Sequence, residues 1–311
     1  MNKNFNCPLC HKDIVVVEEI ETKELTRIYK NTYKKDFNYI WNSEKYIKYC
    51  HCSNCDLKFF HPAITGDDEF YRVLQNDDWY YLHEDKSEYT FSQQFISDKD
   101  KVLDIGAGRG VFSKYTNCNY YQGLDFSSKA IELANNDGVN VKPIPVEDHC
   151  QEKPEFYDVV VAFQLIEHIS NADSFIDATV KCLKPGGYLI IATPDNDGFI
   201  KNVSNSCLNL PPHHVLHWNE ESLSHIAKIF NLEVECVYRE PLSSIHKVWW
   251  YNTDTSSSIC KLFNKKIRMI DNSLSFRIIR GFSRIISKLI IPFGKHKKEY
   301  GQTIIMVYRK K

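Results

Sequence analysis

A parallel α/β sheet wound with helices on both faces is predicted for most of this chain, and three observations predict it. From residue 101 onward, short apolar runs of strand length alternate with helix-like segments. The first run stops at a glycine-rich turn, "GAGRG" at 106–110. The second stops at an acid, Asp125, about 20 residues beyond the start of that turn. In sheets of this class, ligands bind beyond the carboxyl ends of the strands.

Each element follows in order. Val102, Leu103 and Ile105 form a buried strand, and Gly106, Gly108 and Gly110 make the tight turn after it. Glycines are needed where backbone passes close to a ligand with no Cβ in the way. Val111 to Tyr115 reads as the start of a helix. "YYQGLDFS" is the second strand, 140–146 the third and "YDVVVAF" at 157–163 the fourth. A "KPGG" turn at 184–187 leads into the fifth at 188–194; 232–238 and 302–308 supply the sixth and seventh. Helices are expected at 127–136, 172–183 and 220–230.

The turn and the acid suggest an adenosine-bearing cofactor, because a carboxylate at the second strand end can accept both ribose hydroxyls. A dinucleotide calls for G-x-G-x-x-G/A, where a helix N-terminus meets a pyrophosphate. Here the spacing is G-x-G-x-G, Val111 follows, and no basic residue stands beside Asp125. S-adenosylmethionine has no phosphate and fits this turn better.

Before this region lies a cysteine-rich module. Five of the eleven cysteines fall in the first 55 residues. "CPLCH" at 7–11 and "CHCSNC" at 50–55 each offer Cys-x-x-Cys, and the two pairs complete the tetrahedral set of a structural zinc site: Cys7, Cys10, Cys52 and Cys55. His11, Cys50 and His51 are spare candidates, but only Cys52 has the right spacing to Cys55. The intervening "IVVVEEIETKELTRIYK" carries β-branched runs suited to strands. Residues 67–98 are aromatic, lack Gly and Pro, and read as two short helices; Tyr80, Tyr81 and Tyr89 either cover a ligand or join the core.

Composition narrows the class further. The 311 residues are 43% hydrophobic and 25% charged, with a net charge of −1, so no global field favours nucleic acid. No apolar run follows Met1 and none reaches the roughly 18 residues of a membrane span. A cytoplasmic protein is expected.

"PPHHVLHW" at 211–218 reads as a metal site, a catalytic base or a stiff loop. His213 and His217 would share a face only in a helix. Pro211-Pro212 disfavours a helix arriving from upstream, and Asn219 reads as an N-cap with Glu220 and Glu221 in the first turn. The motif holds no acid to complete a zinc set, so no catalytic metal is expected there. It reads as an acceptor-side rim, with Trp218 anchoring the loop. Candidate bases are His168, His213, His214 and His217, with His213 and His214 foremost among the loop residues.

"VLDIGAGRGVF", "GLDFS", "FYDVVVAFQLIEHI", "LKPGGYLIIATPD" and "PPHHVLHWNEESL" resemble the class I S-adenosylmethionine-dependent methyltransferases, over roughly 95–245 plus the last strand. With the cysteine pairs and "WYYLHEDKSEY", the chain is similar to a bacterial subgroup with an N-terminal zinc ribbon. The resemblance implies a Rossmann-like seven-stranded methyltransferase sheet and a small or glycosidic acceptor, in surface-polysaccharide or secondary-metabolite biosynthesis. It also implies cofactor contacts. Asp104, Gly106, Gly108 and Gly110 would line the methionine moiety, Asp125 with Phe126 the ribose, and Glu147 or Asp148 the adenine amine. Phe163 and Gln164 would close the floor. Two alternatives stand beside this reading. "CPLCHKDI" is also similar to the zinc ribbon of an rRNA-modifying methyltransferase group, and a non-catalytic cofactor-binding module would use the same turn.

Residues 256–298 hold eleven Lys or Arg and one acid, Asp271. Phe276, Ile279, Phe282, Ile286 and Leu289 fall at helical intervals, with Arg277, Arg280, Arg284 and Lys288 on another face. This predicts either a helix packed on the domain or peripheral contact with a membrane or a lipid-linked substrate. The expected organisation is a zinc-ribbon module at 1–65, a helical connector or lid at 66–98, the catalytic domain at 99–245 and 299–311, and a basic helical insertion at 246–298.

Overall fold

The structure, a computed structural model, describes residues 5–75, 86–291 and 300–311. In chain order the N-terminal part gives β1 (Val15–Glu21), α1 (Thr22–Tyr33), β2 (Tyr46–His51), β3 (Lys58–His61) and α2 (Asp68–Gln75). The segment expected to be strands is therefore a strand followed by a helix. The helix begins where the β-branched run ends, and Leu25, Ile28 and Tyr29 bury one face at helical spacing. Tyr80 and Tyr81 lie outside the described residues, as do 292–298 of the basic segment.

The central part gives α3 (Ser87–Ser92), β4 (Lys101–Ile105), β5 (Tyr120–Leu124), α4 (Ser128–Asn136), β6 (Val141–Lys142), α5 (Val146–Glu152) and β7 (Tyr157–Phe163). There follow α6 (Ala172–Cys182), β8 (Leu183–Pro194), β9 (Leu216–His217), α7 (Glu220–Ile229) and β10 (Leu232–Pro241). The last elements are α8 (Lys247–Leu262), α9 (Leu274–Ile290) and β11 (Tyr300–Lys310).

Among the described residues, seven strands form one sheet in the order β10-β11-β8-β7-β4-β5-β6. The five from β8 to β6 run parallel; β11 is antiparallel to β8, and β10, antiparallel to β11, returns to the direction of the five. This is the Rossmann-like methyltransferase sheet expected from the sequence. Two elements differ from expectation. The third strand shrinks to Val141–Lys142, because Pro145 ends the extended run and Val146 opens α5. Val111–Tyr115 is a single 3-10 turn rather than a helix start.

The chain order reverses between β4 and β7, so a crevice opens beyond their carboxyl ends, where Gly106 and Gln164 follow the two strands.

The N-terminal module is fused to this domain. Its sheet runs β1-β2-β3-β9, and β9 comes from "PPHHVLHW". Phe59 pairs with Leu216 and Lys58 with His217. One continuous apolar core joins Cys7, Leu9, Leu57 and Phe59 to Leu216, Trp218, Leu223 and the face of the large sheet. A second core packs Tyr29, Phe37, Trp41 and Phe70 over Cys207 and Leu210, with the Tyr29 hydroxyl 2.6 Å from the Cys207 carbonyl. The residues leading into the histidine loop are thus held from below by α1.

The N-cap expected at Asn219 is present. Its side chain accepts from Ser222 N at 2.9 Å, and the Ser222 hydroxyl reaches back to Asn219 N at 2.9 Å. The same amide donates to Asp56 on the ribbon at 2.5 Å and to Asp197 at 2.8 Å. Asn219→Ala therefore removes a cap and a bridge between modules. Urea unfolding is expected to show a loss of about 1–2 kcal/mol.

Candidate functional site

A cavity of about 1770 Å³ opens beyond β4, β5 and β7. That exceeds the upper end of about 1,000 Å³ usual for a single small ligand, so it has room for a cofactor and an acceptor. Gly106, Gly108, Asp125, Phe126, Glu147, Phe163 and Gln164 stand on its wall. Histidines 168, 213 and 214 line another part of the same cavity.

The glycine turn divides its work between ligand space and packing. All three glycines have positive φ, between 56° and 74°, a region costly for residues with a Cβ. A Cβ on Gly108 would meet nothing within 4 Å, whereas one on Gly110 would lie 2.5 Å from Val139. Gly108 thus faces open cavity, and Gly110 lets the turn close on the strand beside it. Asp125 braces the turn: one carboxylate oxygen accepts from Gly108 N, the other from Ser127 N, each at 2.8 Å.

Three of the expected cofactor contacts stand off the cavity wall. Gly110 is spent on packing, and Asp148 lies along α5 behind Glu147. Asp104 is buried within β4 and accepts from the Tyr121 hydroxyl at 2.6 Å. Burial pushes its carboxyl up to about 7 against that hydrogen bond.

Gln164 adopts a positive φ of 51° at the end of β7. Its side-chain amide donates to Glu88 at 3.3 Å and lies 3.4 Å from the Thr303 hydroxyl. Glu88 and Thr303 were not singled out in the sequence. They reach the crevice from α3 and β11, and no local spacing links them to Gln164.

The histidines form a packed cluster. The rings of His168 and His213 lie 4.7 Å apart, His168 and His214 4.8 Å, and His213 and His214 4.5 Å. Each Nδ1 faces an acceptor: the His213 carbonyl at 2.6 Å for His168, the Leu208 carbonyl at 3.0 Å for His213, and Asn209 Oδ1 at 3.4 Å for His214. Carbonyl oxygens only accept, which assigns the proton to Nδ1 and leaves Nε2 as the basic nitrogen in all three. Burial lowers all three imidazoles, His168 to about 4 and His213 to about 3. They are neutral at pH 7.

Glu167 sits behind them, its Oε1 4.0 Å from Nε2 of both His168 and His214, and accepts from the Thr193 hydroxyl at 3.0 Å. Burial pushes its carboxyl up to about 8. The Tyr71 hydroxyl lies 3.3 Å from His168 Nδ1, a further neighbour that sequence separation concealed. His217, the fourth candidate base, is off the cavity wall. Its two nitrogens face the Tyr49 hydroxyl at 3.0 Å and the Asn209 carbonyl at 3.1 Å. Alternation along β9 turns it toward the N-terminal sheet.

Comparison with known proteins agrees with this architecture. The methyltransferase domain family matches residues 81–237, about half of the chain. The chain belongs to the methyltransferase domain family. Among curated relatives, the ubiquinone biosynthesis O-methyltransferase of Vibrio atlanticus is 33% identical over 101 residues, 30% of this chain and 43% of that protein. That of Nitrosospira multiformis is 29% identical over 184 residues, 54% of this chain and 77% of that protein. The match thus spans less than half the length of the Vibrio relative. Among solved structures, a SAM-dependent methyltransferase from Archaeoglobus fulgidus aligns with a TM-score of 0.44 and 18% identity, over 79% of this chain and 95% of that one.

The chain also carries the four-cysteine centre. The sulfurs of Cys7, Cys10, Cys52 and Cys55 lie within 4.8 Å of one another. Cys7 and Cys55 approach to 3.5 Å, and Cys10 and Cys52 to 3.4 Å. Those separations exceed a disulfide's ~2 Å and approach the edge of about 3.8 Å that Zn–S bonds of ~2.3 Å require. The two knuckles repeat one hydrogen-bond pattern: Cys7 N to Lys12 O and His11 N to Cys7 O, then Cys52 N to Leu57 O and Asp56 N to Cys52 O. The spare candidates point elsewhere. His11 pairs with Asp173, His51 with Asp56, and the Cys50 thiol faces the Lys48 carbonyl. The donor set fits a closed structural zinc site.

Purified protein is expected to hold about one zinc per chain. Cys52→Ser should lose it and lower Tm by roughly 10 °C, since the metal contributes folding free energy directly. Elemental analysis and a thermal melt read both, and a metal-free but equally stable parent protein would refute the site.

Proposed function

We propose that the chain is an S-adenosylmethionine-dependent methyltransferase that methylates a hydroxyl of a small or glycosidic acceptor. The observation that carries this is the shared cavity, which joins the open side of the Gly106–Gly110 turn to three neutral histidines. The names of the O-methyltransferase relatives support oxygen as the acceptor atom. Ser204, Asn205, Ser206 and Asn209 on the cavity wall supply hydrogen-bonding groups suited to a sugar intermediate of surface-polysaccharide or secondary-metabolite synthesis.

When bound, S-adenosylmethionine supplies a methyl group already activated by its sulfonium, so the protein's work is mainly alignment. Asp125 would accept the ribose hydroxyls, with Phe126 beside it. Phe163 and Gln164 bound the cavity floor at the end of β7. Glu147 stands on the wall near the expected adenine end. In this reading the acceptor hydroxyl gives its proton to Nε2 of His168, His213 or His214. The freed oxygen would then be the methyl acceptor, with the imidazole holding the proton.

Among the described residues, no helix is long and apolar enough to cross a membrane. The cavity is also lined by Ile245 and Trp249 of the α8 region and by Arg280 of α9, and the basic amphipathic sequence of α9 supports an acceptor presented near a membrane surface.

Two variants of the glycine turn separate cofactor binding from folding. Gly108→Ala fills open cavity, so a folded variant is expected to lose at least tenfold in affinity for S-adenosylhomocysteine by calorimetry. Gly110→Ala drives a methyl into Val139 and should lower Tm instead. Unchanged affinity in folded Gly108→Ala would refute the placement.

The pH dependence follows from the lowered imidazoles. A histidine that is neutral above about pH 4 loses no further proton near neutrality. Imidazole NMR shifts of His168, His213 and His214, assigned with the alanine variants, should stay flat from pH 6 to 7, whereas activity over that range also reports the raised carboxyls of Asp104 and Glu167. A titration of any of the three centred near 6.5, where a solvated imidazole titrates, would overturn the buried-base assignment.

A further inference from the structure

Helix α9 is packed with an unexpected face inward. The sequence groups Phe276, Ile279, Phe282, Ile286 and Leu289 as one apolar stripe. The structure splits it. Phe276 and Ile279 are buried with Cys260 of α8, and beside them Ser283 and Ser287 are also buried. The Ser287 hydroxyl donates to Thr255 of α8 at 3.2 Å. Small side chains let the two helices approach closely, and larger ones are left outside. Leu274, Ile278, Phe282, Ile285 and Leu289 are 70, 49, 59, 61 and 66% exposed. At 100° per residue these five fall within an arc of about 80°. A contiguous exposed apolar face of this kind marks an interaction surface.

The adjoining arc of the helix is basic, with Arg277, Arg280, Arg284 and Lys288, and no acid occurs from Asn272 to Lys298. Leu262 and Phe263, 79% and 71% exposed, stand at the end of α8 next to the loop that leads into α9. The partner of this face must therefore be apolar and anionic together. A second copy of the chain would bring two basic arcs together with no acid on the helix to pair with them.

We propose that the outward face of α9 docks on an anionic lipid surface, with the apolar arc inserted at the headgroup boundary and the basic arc against lipid phosphates. Docking stands on the helix alone. Its consequence for the acceptor rests on the methyltransferase reading: Arg280 also lines the cavity, so the site would open beside the bilayer and suit a lipid-linked hydroxyl.

The test uses the full chain with sedimented vesicles of phosphatidylcholine, alone or mixed with phosphatidylglycerol. Binding is expected only to the mixed vesicles, and it should weaken at high salt. Substituting Phe282→Ser, Ile285→Ser and Leu289→Ser together should weaken it at least tenfold, with Tm and S-adenosylhomocysteine affinity unchanged. Should that variant fail to fold, Arg277→Ala with Arg284→Ala and Lys288→Ala should abolish the preference for anionic lipid. No binding to mixed vesicles at low salt, or equal binding to both compositions, overturns the proposal. So does a dimer in light scattering that the triple serine variant dissolves, or retention on RNA without vesicle binding. Loss of cofactor binding in Gly108→Ala with vesicle binding intact would separate this proposal from the catalytic one.

Discussion

The placement of the candidate site depends on one backbone pairing. Leu216 and His217 join the edge of the N-terminal sheet as β9, opposite Phe59 and Lys58. Just before them, Val215 N donates to the Glu167 carbonyl while its own carbonyl accepts from Phe60 N, each at 2.9 Å. The chain after residue 210 is thereby stitched to the ribbon on one side and to the turn after β7 on the other. A loop rich in histidine becomes a wall of fixed side chains. The Trp218 indole completes the seam by donating to the Ile166 carbonyl at 3.2 Å.

This pairing explains why the cysteine module belongs to the same folding unit as the methyltransferase-family domain. The ribbon is too small to bury a core of its own. Its knuckles pack into the main core, and Asp173 at the start of α6 donates its N–H to the Pro8 carbonyl at 3.1 Å. A zinc ion that orders the knuckles would also order the strand on which β9 lies. In that sense a structural metal far from the reacting atoms would position the candidate bases.

The histidine cluster shows how burial sets chemistry. Three imidazoles within 5 Å of one another cannot all be charged away from water, so desolvation and mutual repulsion keep them neutral. Backbone carbonyls and the Asn209 side chain orient them by accepting hydrogen bonds from Nδ1–H. Glu167 is the complementary case: a carboxyl with its nearest hydroxyl donor at Thr193, held up by burial. The three histidines thus offer lone pairs without a positive charge.

Periodicity and turn chemistry made the large sheet legible: strands at 157–163, the glycine turn at 106–110 and the N-cap at Asn219 depend on local sequence. So did the two Cys-x-x-Cys knuckles, because ligand spacing is itself local. Local sequence did not show that His168 meets His213, that Glu88 meets Gln164, or that Tyr71 lies beside His168. Those contacts join residues 45 to 97 positions apart and exist only once β9 has paired and the strands have closed. The orientation of α9 was hidden for the same reason. Its sequence is apolar over much of its circumference, so the small serines that fit against α8, rather than the number of apolar residues on any side, decided which face turned inward. The sequence by itself determined the strands, the turn and the metal-ligand pattern, because these are set by nearest neighbours. Only the tertiary structure decided which histidines face the cavity and which apolar face is left exposed, because both are outcomes of packing between distant segments.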